Sequence, residues 1–404
     1  MTAPTRRTVI VAGAGPVGLL TALALARRDV PVLVLEAEPG LTVDLRAGSF
    51  HPPSLEMMAP LGVTDEMLKT AIRVPRWQIR DKREGVIVEW DLSVLADVTP
   101  YPYRLHLEQH RLTPILYRFL RAIPHAEVRF DHRVTGLTQT ADTVTVTVDT
   151  PGGEAQVEAA WLVGADGGRS TVRGSLGTEF EGFTWPERFV VLSTTRDFAP
   201  HGYTENAYVA DPSEWTAIFK MPGDGPPGLW RAVFPVSPEE DEAVTLSAEM
   251  VERRLQNLLP NAAPYPVTAN GIYKVHQRVA REFRVGRVLL AGDAAHINNP
   301  LGAFGLNGGI HDAISLAEKL ARVCRGDADP SLLDRYVRQR RTVNLEYVQE
   351  FSIRNLRRLS ARDPEERQRN FEGLRRAAAT PEAAREFLLV SSMIASVRRA
   401  EAIA

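Results

Sequence analysis

Hydrophobic and polar positions divide this chain into three textures. The first opens with a short β-branched apolar run at residues 8–12, a cluster of glycines, an apolar stretch at 19–28 and a second buried run at 31–35. Short apolar runs without alternation read as strands covered on both faces, and the longer stretch between them reads as a helix. Strand, glycine turn, helix, strand is the opening of a doubly wound α/β sheet. A second texture begins near residue 77, where alternating apolar residues at 77–80 and 86–90 flank Arg83-Glu84-Gly85 and predict a hairpin. A helix is predicted at 111–122, then strands at 128–130, 143–148 and 161–165, with a turn at Pro151-Gly152-Gly153. From about 180 to 236 aromatic, strand-like segments alternate with Pro/Gly turns and predict a second sheet, completed by the early hairpin. Residues 285–290 return to a buried-strand run. Beyond them the chain is helical and rich in Arg and Glu, and residues 360–376 read as a solvated helical face.

These textures predict an α/β chain with a discontinuous dinucleotide-binding domain (1–73, 104–178 and 265–330). A mostly antiparallel second sheet (74–103 and 179–264) and a C-terminal helical region (331–404) complete it. Length supports two or three domains. The net charge of -2 gives no basic excess for nucleic acid. One cysteine, Cys324, excludes an internal disulfide framework and suits a cytoplasmic location; it reads as a helix packing residue. No His/Asp/Glu cluster has metal-ligand spacing, so no metal is expected. Glycines at 13, 15 and 18 interrupt the one N-terminal stretch that resembles a secretory signal, and no membrane association is expected.

Three motifs carry candidate chemistry. In Gly13-Ala14-Gly15-Pro16-Val17-Gly18 the first glycine permits a tight turn and the second lets a pyrophosphate approach the backbone. The third lets helix and strand pack closely. Pro16 is tolerated in a first helical turn, and Glu36, at the end of the next strand, is placed to accept hydrogen bonds from a ribose. The second motif, Gly164-Ala165-Asp166-Gly167-Gly168, follows a strand; an ordinary strand-ending turn explains it equally well. The third is Gly292-Asp293-Ala294-Ala295-His296, running through Pro300, Gly302, Gly305, Leu306, Asn307 and Gly308 into a helix expected from about Gly309. Asp293 suits a sugar or ribityl hydroxyl better than a phosphate, because like charges repel. His296 reads as a structural hydrogen-bonding residue rather than a base.

Taken in this order, the motifs resemble the class A flavoprotein monooxygenases, the family of para-hydroxybenzoate hydroxylase and the phenol hydroxylases, over about residues 8–345. The resemblance implies FAD binding by Gly13, Gly15, Pro16, Val17, Gly18 and Glu36, by Asp166, and by Gly292, Asp293 and Gly302. It also implies cofactor contacts from Arg46 in Arg46-Ala47-Gly48, from Gln109, and from the Val134 backbone. Pro300, Gly305, Leu306 and Asn307 are then expected to run along the isoalloxazine ring and stabilise negative charge there. The implied reaction uses NADH or NADPH to reduce FAD, forms a flavin C4a-hydroperoxide with O2, and transfers one oxygen atom to a phenolic ring. The second sheet supplies the substrate candidates His201, Tyr203, Tyr208, Trp215 and Phe219, each of which also reads as core. Where the family often has Gly-Gly, this chain has Ala303-Phe304, which bears on the width of the substrate channel. A larger polyketide substrate, or a flavin-binding role without catalysis, is the alternative reading. Flavin-dependent halogenases are disfavoured, since no Trp-x-Trp-x-Ile-Pro segment is present. A monomer or a homodimer is expected, with a small aromatic molecule and O2 as partners.

Overall fold

The computed structural model describes residues 8–43 and 48–404. Arg46 lies outside the described residues. The predicted opening forms as expected. Val9–Ala12 and Val32–Leu35 are buried along their whole length and pair in parallel, with Val9 opposite Val32. Trp161–Gly164 pairs on the other side of Val9–Ala12, and the full order is Arg284–Val285, Val288–Leu290, Trp161–Gly164, Val9–Ala12, Val32–Leu35, Ala126–Arg129. All neighbours in this sheet are parallel except the hairpin of its first two strands. The helix Pro16–Ala26 is apolar nearly all round because it is covered nearly all round, by the sheet and by the helices Gln109–Arg121 and Phe304–Arg325. A three-stranded antiparallel sheet, Arg133–Gln139, Val144–Thr150 and Gly153–Ala159, flanks this unit.

The second sheet has eight strands and is antiparallel except for one pair. That pair joins the early hairpin, Arg76–Asp81 with Gly85–Asp91, to Asn206–Ala210, so the hairpin does complete the sheet. One expected boundary moves. Residues from 265 onward were assigned to the dinucleotide-binding part, but Val267–Ala280 pairs along most of its length with Phe180–Thr194 and belongs to the large sheet. The alternation of that strand is masked by polar residues on its partly exposed face, which is why its sheet membership is hard to read from pattern.

Five C-terminal helices, from Leu332–Val343 to Ile394–Glu401, close the molecule. The reading of residues 360–376 as a solvated face is corrected here. Phe371 and Leu374 on Pro364–Ala377 are buried in one apolar cluster with Trp77, Trp90 and Tyr208 of the large sheet. Burying two such side chains contributes roughly 1.5–3 kcal/mol each. The charged remainder of that helix faces water or pairs with the hairpin, as Arg375 does with Glu84 at 3.0 Å. Among the described residues no helix is long and apolar enough to cross a membrane.

Candidate active site

At the dinucleotide end, the three glycines have three separable roles. Gly13 sits at φ +100°, and a Cβ there would meet the Ala165 carbonyl oxygen at 2.5 Å. A Cβ on Gly18 would stand 2.0 Å from the Gly13 oxygen, so this position is fixed by helix–strand packing. A Cβ on Gly15 would meet nothing within 4 Å. That open space lies at the N-terminus of Pro16–Ala26, where first-turn N–H groups lack intrahelical acceptors and favour an anion. Glu36 borders the same turn: its carboxylate accepts from the Ala14 N–H at 2.6 Å and the Glu38 N–H at 3.0 Å. The Glu36 carbonyl accepts from the His132 N–H, which brings the Val134 strand alongside. Gln109 begins its helix half-buried.

The other two motifs are braced chiefly by each other. Asp166 uses its carboxylate locally, accepting from Ser170 Oγ at 2.5 Å and the Val172 N–H at 3.1 Å, and so supports Ser170, which caps the short helix Thr171–Ser175 by accepting from the Arg173 N–H. Arg173 donates to the Ala294 and Gly168 carbonyls, bolting the second motif to the third. Gly292 (φ +61°) and Gly309 both receive the Val17 side chain, which would lie 2.9 and 2.5 Å from a Cβ at these positions. Val17 is thus a packing residue as well as part of the glycine turn. Asp293 is half-buried in the single turn Gly292–Ala294. His296 is buried and shares a 2.6 Å hydrogen bond with Asp312, which also accepts from the Gly292 N–H at 3.0 Å and Arg340 Nε at 2.6 Å. The structural reading of His296 fits this geometry. Burial pulls the Asp312 carboxyl upward, but its interactions and hydrogen bonds with His296 and Arg340 outweigh it and hold the acid well below its usual range.

The third motif enters its helix earlier than predicted. The helix runs Phe304–Arg325 rather than starting near Gly309, because Ala303 adopts a left-handed cap conformation (φ 59°, ψ 36°) that lets the backbone turn directly into it. Gly305, Leu306 and Asn307 therefore occupy the first turn, where N–H groups point outward from the helix end. The Asn307 side chain has a separate task. Its Oδ1 accepts from the His51 N–H at 2.8 Å and Ser54 Oγ at 2.6 Å, while Nδ2 donates to the Ser49 and Ala303 carbonyls. Gly302, at φ +106°, donates its N–H to the Tyr208 hydroxyl at 3.3 Å and shares its carbonyl with His51 Nε2 at 2.8 Å. A non-glycine residue held at positive φ costs about 1 kcal/mol. Ala303→Gly should therefore raise stability by about that amount with FAD content unchanged; a lower midpoint in thermal or urea unfolding would contradict the cap assignment.

Beside this turn lies a cavity between the large sheet and the C-terminal helices. Its walls include Trp77, Arg104, Tyr208, Phe304, Phe371 and Phe387. Of the five substrate candidates, only Tyr208 lines it. Phe219 packs edge-on against Tyr208 at 5.9 Å, and Trp215 packs against Phe189, both behind the wall. Tyr203 belongs to the apolar cluster on the opposite face of the sheet, with Phe198. His201 is exposed on the short turn Ala199–His201, 3.3 Å from Arg196. The cause is tertiary placement: His201 and Tyr203 lie in the connection before the strand Asn206–Ala210, while Trp215 and Phe219 share the apolar cluster of Tyr208 without reaching the cavity, and composition reveals neither. Arg104, Asp312, Arg340 and the C-terminal helix residues were missed. Trp77 was seen only as part of the hairpin.

The sequence matches the FAD binding domain family over residues 6–351. It is 39% identical over 388 residues to para-nitrophenol 4-monooxygenase of a Pseudomonas strain (WBC-3), covering 94% of each chain. It is 37% identical over 369 residues to 6-hydroxy-3-succinoylpyridine 3-monooxygenase of Pseudomonas putida, covering 89% of this chain and 91% of that one. The crystal structure of p-nitrophenol 4-monooxygenase from Pseudomonas putida superposes with a TM-score of 0.91 at 38% identity, covering 98% of both chains. With the glycine turn, the Asp-Gly and Gly-Asp motifs and the cavity already in place, the chain belongs to the class A flavoprotein monooxygenases, the FAD-dependent aromatic hydroxylases.

Proposed function

We propose that the substrate is a single-ring phenol, held in the cavity walled by Trp77, Phe371 and Phe387, and that NADH or NADPH supplies the electrons. The observation that carries this reading is the position of the cavity: Gly302 and Phe304 line it, so the turn assigned to the flavin ring also borders the substrate space. The relatives support a single ring, since one acts on para-nitrophenol and another on a substituted pyridine.

In this reading Gly13, Gly15, Pro16, Val17 and Gly18 hold the pyrophosphate, and Glu36 and Val134 hold the adenosine part. Asp293, with Gly292 and Gly302, holds the ribityl side, and Arg46, Gln109 and Asp166 make further cofactor contacts. When bound, FAD supplies the two-electron chemistry and the reaction with oxygen. The chain's own residues bind, orient and exclude water. First-turn N–H groups of Gly305, Leu306 and Asn307 form a preorganised dipole for negative charge on the ring system, and Pro300 fixes the turn that aims them. Aromatic walls keep the reacting centre dry. A cytoplasmic location and the domain division at about residues 73, 104, 178 and 330 belong to the same reading. A screen of phenols that follows NADH and NADPH oxidation tests it: turnover should rise with a single-ring phenol. No stimulation by any aromatic compound would overturn the substrate assignment.

A further inference from the structure

One cavity side chain has a charge that the described residues leave without an ion-pair partner. Arg104 opens the strand Arg104–His106 and is 2% exposed. Its Nη1 donates to Asn206 Oδ1, its guanidinium lies 4.5 Å from the Trp77 ring centroid, and Tyr208 shares the cavity wall with it. Its Nε is buried without a partner. Among the described residues no carboxylate lies within ion-pair distance of it, whereas the buried Arg254 has two and Arg340 has one. The cavity lining contains no Asp or Glu and does contain a second arginine, Arg358. Two buried imidazoles, His51 and His106, feel its charge. Burial first, then the Arg104 charge, drives His51 well below its usual range, and burial holds His106 at about 3, so both rings are neutral, and an imidazole supplies no negative charge in either state. Guanidinium stays protonated in proteins, and a buried, unpaired ion costs several kcal/mol. Tyr208 adds a donor: its oxygen accepts from the Gly302 N–H, which leaves its O–H to be donated into the cavity it lines.

Resting on the proposal that this cavity takes the aromatic substrate, we infer that Arg104, with Tyr208, is the specificity residue that receives an anionic oxygen carried by the ring. The substrate class is thereby narrowed to aromatic monoanions, phenolate or ring carboxylate, with Trp77 beneath the guanidinium and the aromatic wall around the ring. The anion supplies the missing counter-charge, and its binding gains from a charge-assisted hydrogen bond in a dry site.

The test titrates FAD-loaded enzyme with three probes: 4-nitrophenol below its pKa in water, benzoate, and the uncharged 4-nitroanisole. Binding is read from perturbation of the flavin spectrum. The ionisation state of bound nitrophenol is read from its own difference spectrum, since a nearby cation favours the anion. Wild type should hold nitrophenol as the phenolate and bind at least one anionic probe about tenfold to a hundredfold tighter than nitroanisole. Arg104→Gln should erase that preference and return bound nitrophenol to its neutral form while nitroanisole affinity stays put; Arg104→Lys should keep part of both and serves if the glutamine variant does not fold. A preference for benzoate alone assigns the oxygen to a carboxylate, and for nitrophenol alone to a phenolate. Equal affinity for charged and uncharged probes, or equal losses for both in the variants, would overturn the role of Arg104 and leave the cavity assignment standing. Binding of none of the three would overturn the cavity assignment and this inference with it.

Discussion

Gly15→Val is expected to give a folded protein that no longer retains FAD. Gly15 has an ordinary backbone (φ -69°, ψ 177°), and the protein places no atom within 4 Å of a Cβ there. Valine therefore fits the polypeptide, and its branches fill only the space in front of the helix N-terminus. Filling the space a phosphate needs should weaken FAD binding by roughly a hundredfold, the scale of an overpacked site. Gly13 and Gly18 provide the contrast. A side chain at either meets backbone at 2.5 or 2.0 Å, so substitution there should damage the fold itself. The check is flavin content after purification beside the far-ultraviolet spectrum. Full FAD occupancy in a native-like Gly15→Val protein would remove the phosphate from this turn.

Asp312→Asn should cost about 3 kcal/mol or more of stability, the range for breaking a buried ion pair on one side. Arg340 is 3% exposed and would keep only neutral acceptors, and His296 would lose its carboxylate partner. The pH dependence has a definite sign. The folded carboxyl is held below its unfolded value near 3.8, so its contribution is complete above that pH and is lost as pH falls toward the depressed folded value. The gap between wild type and Asp312→Asn should then stay constant from neutral pH to about 5 and close only in stronger acid. Urea unfolding across that range measures it. A difference under about 1 kcal/mol, or one that widens in acid, would contradict the network as described.

What could be read in the sequence follows from how local each signal is. The glycine turn depends on positions within a few residues of each other: Gly13 and Gly18 keep the turn and packing roles their spacing implies, and Gly15 leaves open space before the helix. The hairpin at 77–90 was legible for the same reason, with alternation on both arms and a turn between them. Asp312 was not legible, because its partners lie 16 and 28 residues away and meet it only when two helices and the third motif pack together. Arg104 looked like any charged residue ahead of a predicted helix; its burial depends on three strands converging and on the large sheet behind it. The far wall of the cavity comes from helices whose charge hides Phe371 and Leu374. Tyr208 was separated from Tyr203 only by tertiary placement, since Tyr203 sits in the connection before the strand and packs with Phe198, whereas Tyr208 lies on the strand and lines the cavity.

The central claim is that this chain adds oxygen from O2 to a phenolic ring, and isotopically heavy oxygen gas tests it most directly. A turnover with NADH or NADPH, the best phenol from the screen and labelled O2 should give a product heavier by one labelled oxygen atom, with none acquired from labelled water in the reverse experiment. Label arriving from water, or consumption of all the oxygen as hydrogen peroxide with the phenol unchanged, would contradict the account.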